Sequence, residues 1–141
     1  MVSGTVATRL SMNTEHTGVK LLNRSGDLPQ GLTREEVVSL MAREVAGICF
    51  PGLVDEVVAA ALEREAEEST YLGRGLAVPH ARVKDLSESV VYIAHGQEVA
   101  WGEDSADCVA LLCSSEDCPD VHLQLLSKLV RWRMKGGELV L

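Results

Sequence analysis

The sequence predicts an α/β fold, a three-layer sandwich in which a small mixed β-sheet is flanked by helices on both faces. Three observations carry this expectation. Segments with helical apolar spacing interleave with compact apolar runs bounded by polar turns, as expected of helices packed on a sheet. The 141 residues, 46% of them hydrophobic, suffice for one packed core. Aromatic residues make up only 4% of the chain, so Val, Leu and Ala must fill that core, which suits helices against a partly parallel sheet.

Residues 1–18 mix Ser, Thr, Asn and Gly without periodicity and read as a flexible arm or linker, leaving residues 19–141 as the domain. Val19 to Leu22 form a candidate edge strand, followed by a turn cluster from Ser25 to Pro29. Thr33-Arg34-Glu35-Glu36 has the spacing of a capping box, and Val37, Leu40, Met41 and Val45 then give a helix one apolar face, with Gly47 as its expected stop. Leu53, Val54, Val57, Val58, Ala61 and Leu62 repeat with helical period, predicting a second helix from Gly52 to about Glu65 or Glu68.

Ser69 to Gly75 contains two glycines two apart and predicts an irregular loop. Leu76-Ala77-Val78 reads as a short strand ended by Pro79, which lacks an N–H and holds the next side chain in a fixed direction. Residues 89–95 and 107–113 are apolar runs expected to be buried strands. Asp117-Cys118-Pro119-Asp120 starts a last helix with an apolar face of Leu123, Leu126, Leu129 and Val130, and His122 falls in its first turn.

Charge and cysteine content exclude several classes. A formal net charge of −8 repels phosphodiester backbones and anionic lipid, so no nucleic-acid partner is expected. The densest basic group, Arg131, Arg133 and Lys135, reads as a solvated helix end. No apolar run approaches the roughly 20 residues of a membrane span and no signal peptide opens the chain, which predicts a cytoplasmic protein without direct membrane insertion. Cys49, Cys108, Cys113 and Cys118 form no CxxC pair, and Cys108 and Cys113 fit small buried hydrophobes. The spacing of Cys113, Cys118 and His122 matches no zinc pattern, and no metal or other cofactor is expected.

The segment Gly73-Arg74-Gly75-Leu76-Ala77-Val78-Pro79-His80-Ala81-Arg82 is the chemically informative one. A histidine held after a short strand, beside glycines that let a backbone or an anion approach, has the requirements of a nucleophile toward phosphorus. One ring nitrogen attacks while the other must hold a proton and be tied to an acceptor, commonly a backbone carbonyl, so that tautomer and direction are fixed.

Glu63-Arg64-Glu65, the run from Ser69 to Arg82 and the segment His122 to Leu129 together resemble the IIA components of the bacterial phosphoenolpyruvate-dependent sugar phosphotransferase system, in its fructose, mannitol and nitrogen-regulatory class. The resemblance runs from about Thr33 to Trp132. It implies a fold of the phosphotransferase/anion-transport-protein-like kind and a protein-histidine phosphotransferase working through a phosphohistidine. His80 takes the position of the phosphorylated histidine, Arg64 that of the active-site arginine and His122 that of the second active-site histidine. The phosphoryl group would arrive from an HPr-like phosphocarrier protein and leave for a IIB domain, or serve to regulate a transporter or enzyme. On residue chemistry, Arg64 supplies a forked cation, His122 a hydrogen bond, and Ser87 or Ser89 a further hydroxyl. Taken alone, Glu63-Arg64-Glu65 is a charged, solvated helix face, and His16 and His95 match nothing in the family.

The resemblance also implies a further helix beyond that of His122, for which the residues after Lys135 leave little chain, so the core is expected to be completed differently. A different class of function follows from that departure: a regulatory binding module that transfers no phosphate, excised from or appended to a membrane transporter. Tyr71 suits mannitol-type members and Gly73-Arg74-Gly75 suits the nitrogen and fructose types as well, which leaves sugar specificity open.

Overall fold

The computed structural model describes residues 19–141; the expected N-terminal arm, with His16, lies outside the described residues. Three α-helices and six strands build the expected three layers. The sheet runs β1 (Val19–Asn23), β5 (Ser89–Trp101), β6 (Asp104–Ser115), β3 (Leu76–Ala77), β2 (Tyr71–Gly73), and β4 (His80–Val83) also pairs with β6. It is mixed: β1 is parallel to β5, β6 to β3 and β4, while β5/β6 and β2/β3 are antiparallel hairpins.

Strand alternation divides the core between two faces. Leu22, Val90, Tyr92, Val109, Leu111 and Cys113 face α1 (Arg34–Cys49) and α2 (Val54–Glu67). Leu21, Val91, Ile93, Cys108, Ala110 and Leu112 face α3 (Pro119–Lys135) and the end of the chain. No helix of the described residues is long and apolar enough to cross a membrane.

The helix starts follow the sequence. Glu36 N–H donates to the Thr33 hydroxyl at 3.1 Å and Thr33 N–H to the Glu36 carboxylate at 2.9 Å, closing the capping box. Pro119 occupies the first turn of α3. The end of α1 differs from expectation: it passes Gly47 and stops at Cys49, where Phe50 caps it with a hydrogen bond to the Ala46 carbonyl. The stop belongs to Pro51, which excludes helical geometry at Phe50, whereas one glycine costs a helix only about 1 kcal/mol. A 3-10 turn over Pro51–Leu53 then leads into α2.

Three strand assignments are also corrected. The predicted irregular loop contains β2, which folds back on β3 with the Gly75 N–H held by the Tyr71 hydroxyl at 2.9 Å. Gly73, Arg74 and Gly75 all take positive φ in the bend. A Cβ on Gly75 would collide with the Asp107 carboxylate, so glycine is required by proximity as well as by conformation.

Pro79 interrupts its strand without ending it. Leu76 pairs with Cys108 and His80 with Leu112, 32 positions apart in both, so β3 and β4 are one line of chain on β6. The missing proline N–H opens the ladder locally, while the Pro79 carbonyl still accepts from Leu112 N–H at 2.9 Å. Finally, β5 and β6 outrun their apolar segments and form a long hairpin whose far end buries Val99, Trp101 and Ala106 under the helices.

The chain end completes the second core layer. Leu139 and Leu141 are buried with Val19, Leu21, Ile93 and Leu129, so extended residues do the covering expected of a helix. The Trp132 indole N–H anchors this segment by donating to the Gly137 carbonyl at 3.1 Å. Leu139→Ala should therefore lower unfolding stability by about 2–3 kcal/mol, as for a buried core leucine, read from urea unfolding curves.

Candidate functional site

The sheet edge formed by β4 places His80. Along a strand side chains alternate, so His80 and Arg82 share one side of β4 while Ala81 and Val83 enter the core under α1 and α2. From the other elements, the last turns of α2 bring Arg64 and the first turns of α3 bring His122. The predicted trio thus converges. His80, Arg64 and His122 line one cavity of about 390 Å³ together with Arg82, Glu63, Glu67, Leu123 and Leu126. The imidazole rings of His80 and His122 meet edge to face with centroids 4.9 Å apart.

Both rings are buried, and their surroundings disfavour positive charge. Burial first, then the Arg64 guanidinium, depress the His80 pKa below its ordinary 6.5, opposed by the Pro79 and Val78 carbonyls and Glu65. His80 Nδ1 is enclosed and makes no hydrogen bond, which leaves Nε2 as the nitrogen able to meet an incoming group. His122 is pushed down to about 4 by burial and by His80, Arg82 and Arg64. Its Nδ1 lies 3.1 Å from the Ser114 hydroxyl. With that hydroxyl donating, Nε2 carries the ring proton and offers it to the cavity.

Several residues missed in the sequence build this geometry. Glu65, assigned to a solvated face, is 3% exposed and accepts three hydrogen bonds: from Thr70 N–H at 3.0 Å, from the Thr70 hydroxyl at 2.6 Å and from the Trp101 indole at 3.1 Å. Thr70 in turn holds the Val78 N–H through its carbonyl at 3.0 Å, two residues before His80. Arg64, next to Glu65, is steadied by donating to the Glu68 carbonyl at 2.7 Å. Neither Ser87, which is exposed, nor Ser89, which is buried at the start of β5, lines the cavity, and the hydroxyl that meets the second histidine is that of Ser114. A strand position opposite Arg82 is the one signal that singles out Ser114, and it needs the register.

Other assignments change as well. Gly73 and Gly75 do not line the cavity at His80; they shape the β2–β3 bend, where the Arg133 guanidinium donates to the Arg74 carbonyl at 2.9 Å and pairs with Asp107. Arg133 is therefore tied to the sheet, unlike a residue of a solvated helix end. On α3 the buried positions are His122, Leu125 and Leu129, while Leu123, expected inside, is exposed at the cavity rim. His95 meets only the Trp132 ring, centroids 6.0 Å apart. Among the described residues no group of three or more His, Cys, Asp or Glu could hold a metal, and all four cysteines are free, with Cys108 and Cys113 buried as expected.

Two outcomes follow from these contacts. Glu65→Gln keeps the shape but turns an amide N–H toward donors, so urea midpoints should fall by roughly 2–3 kcal/mol. The second concerns acid. A ring whose folded pKa is depressed binds fewer protons folded than unfolded, so stability is full above pH 6.5 and is lost as pH falls from there toward 4. Each such ring contributes at most about 1.4 kcal/mol per pH unit. His122→Asn should flatten that window in urea titrations at stepped pH.

The family model described as phosphoenolpyruvate-dependent sugar phosphotransferase system, EIIA 2, matches residues 28–139. The mannitol-specific EIICBA component of the phosphotransferase system of Vibrio cholerae is 38% identical over 102 residues, which are 68% of this chain and 15% of that protein. In structure the chain resembles the nitrogen regulatory protein IIA-Ntr from Neisseria meningitidis, with TM-score 0.65 and 18% identity over 89% of this chain and 86% of that one. It also resembles the IIA mannitol enzyme of Escherichia coli in a complex with the phosphorylated IIB mannitol enzyme, with TM-score 0.58 and 26% identity over 82% and 77%. The extent of the match, the shared three-layer architecture and the paired histidines at the sheet edge lead to one assignment: the chain belongs to the EIIA type-2 family of the phosphoenolpyruvate-dependent sugar phosphotransferase system.

Proposed function

We propose that this domain is a cytoplasmic phosphocarrier: His80 accepts a phosphoryl group from the phosphohistidine of an HPr-like protein and passes it to a IIB domain. The observation that carries the reading is the edge-to-face pair of His80 and His122 in a cavity that also holds Arg64. A nucleophilic imidazole must be neutral, and burial keeps it so near neutral pH. His80 Nε2 attacks the donor's phosphorus in line; a new N–P bond forms as the donor's N–P bond breaks, and the electron pair returns to the donor ring.

Little covalent help is needed in such a transfer, since charge spreads over three equatorial oxygens and catalysis is mostly positioning and charge stabilisation. Arg64 presents a planar cation to two of those oxygens, and His122 offers its ring N–H to another. The reverse geometry serves the outgoing step, in which the acceptor's nucleophile takes the place of the donor ring. Family membership supports this reading, and so does a relative whose structure is a complex of IIA and phosphorylated IIB mannitol enzymes.

Incubation with phosphoenolpyruvate and the general carrier proteins, read by intact-mass spectrometry, should add one phosphoryl group to the wild-type chain. The product should be labile in acid and stable in base, and absent from His80→Gln. Unmodified wild type, or a modified His80→Gln, would sink the proposal.

A further inference from the structure

Resting on the phosphocarrier reading, we infer that Arg82 is a further phosphoryl-binding residue of this site, engaging the group on His80 from β4 while Arg64 does so from α2. Neither the motif that identifies the histidine nor the pairing of Arg64 with His122 assigns it a role.

The placement follows from the strand. Arg82 is two residues beyond His80 on β4, so their side chains leave the same side of the chain. Both line the same cavity, as do Arg64 from α2 and His122 from α3. Cations therefore line the cavity from two elements, Arg64 from α2 and Arg82 from β4. The Arg82 charge reaches the site, for it depresses His122 alongside Arg64.

The hydrogen bonding of Arg82 is also incomplete. Its Nε is enclosed by protein and has no partner, and its one contact is an Nη2 donation to the Glu116 carbonyl at 3.3 Å. Guanidinium groups held for structure usually spend their fork on carboxylates or several carbonyls, as Arg24 does on Glu44 here. A buried N–H without an acceptor is uncommon and asks for one. Among the groups facing the cavity, Glu63 and Glu67 of α2 are the acids, and neither pairs with Arg82 in the structure. A phosphoryl group on His80 Nε2 would present acceptor oxygens to a guanidinium on the same cavity wall, a charge-assisted contact of the kind guanidinium and phosphate favour.

Two measurements test the role. Inorganic phosphate is titrated into the unphosphorylated chain while the histidine ring nitrogen resonances are followed. Wild type should show saturable shifts at His80 and His122, with affinity about tenfold weaker in Arg82→Gln and intermediate in Arg82→Lys, which keeps the charge but loses the fork. In the same spectra His122 should titrate at higher pH in Arg82→Gln, because a facing cation has gone while Arg64, Glu63 and Glu67 remain. Phosphorylation of His80 by HPr phosphate should slow by about 100-fold in Arg82→Gln, as for loss of one transition-state donor.

Equal phosphate affinity in wild type and Arg82→Gln, or no saturable phosphate binding by wild type, overturns the inference. If Arg82→Gln fails to fold, Arg82→Lys carries the comparison, and wild-type affinity there, with wild-type phosphorylation rate, overturns it. Arg82-dependent phosphate binding in a wild-type chain that HPr phosphate does not modify would instead remove the phosphocarrier reading and leave Arg82 as an anion ligand.

Discussion

The buried carboxylate of Glu65 is the interaction on which the site depends. It joins three parts of the chain that share no backbone hydrogen bonds: the end of α2, the loop at Thr70 and the far end of the β5–β6 hairpin at Trp101. Removing a carboxylate from water costs several kcal/mol unless its oxygens are satisfied, and here three donors satisfy them. Glu65 therefore fixes more than its own position. Arg64 precedes it in the helix, and Thr70 passes the constraint through Val78 to the strand that begins at His80. Core packing of Ala81 and Val83 under α2 already joins the two elements, and the Glu65 tie adds a polar constraint next to Arg64, to whose placement the proposed transfer is sensitive at displacements of about 1 Å.

Charge is distributed against the overall composition. The chain carries a net −8, yet the candidate cavity brings together two guanidinium groups and two imidazoles, one of them in the first turns of α3, where the helix dipole is positive. Glu63 and Glu67 are the acids on that lining, one helical turn apart on α2. The local field thus favours an anion while the remaining surface repels polyanions such as nucleic acid. A small phosphorylated group carried on a partner protein can use the first property; a phosphodiester backbone meets the second.

Layer order and helix starts were legible because each rests on local pattern, and so was the convergence of two histidines and an arginine on one cavity. The capping box at Thr33, the proline at the start of α3 and the two apolar runs of β5 and β6 are short-range signals, and motif spacing identified His80, Arg64 and His122. What escaped was long-range. Glu65 looks solvated on a helix because its three partners lie five and 36 residues away, and nothing local announces Trp101. Ser114 becomes relevant only once β6 is aligned beside β4. The glycines were read as letting a backbone or an anion approach His80, whereas they shape the β2–β3 bend, where Gly75 lies against Asp107 and Arg133. The misjudged face of α3 has the same origin: Leu123 and Leu125 fit helical spacing equally well, and the sheet, not the helix, decides which is inside.

The paired histidines also set the direction of the chemistry. In the unmodified site burial and nearby cations disfavour positive charge on both rings, which suits the attack proposed for His80. A phosphoryl group on His80 carries close to two negative charges, which would offset the field of Arg64 and Arg82 and raise the pKa of His122. The second histidine is then a stronger hydrogen-bond donor to the phosphorylated state than to the free one. That difference stabilises bound phosphate only after the bond has formed, and it is lost again as the group departs. Such a site need not bind phosphate tightly in either direction, because its charge complementarity arises from the cargo itself. Under the proposed phosphocarrier reading, the depressed pKa of His122 is therefore as much a part of the chemistry as the nucleophilicity of His80.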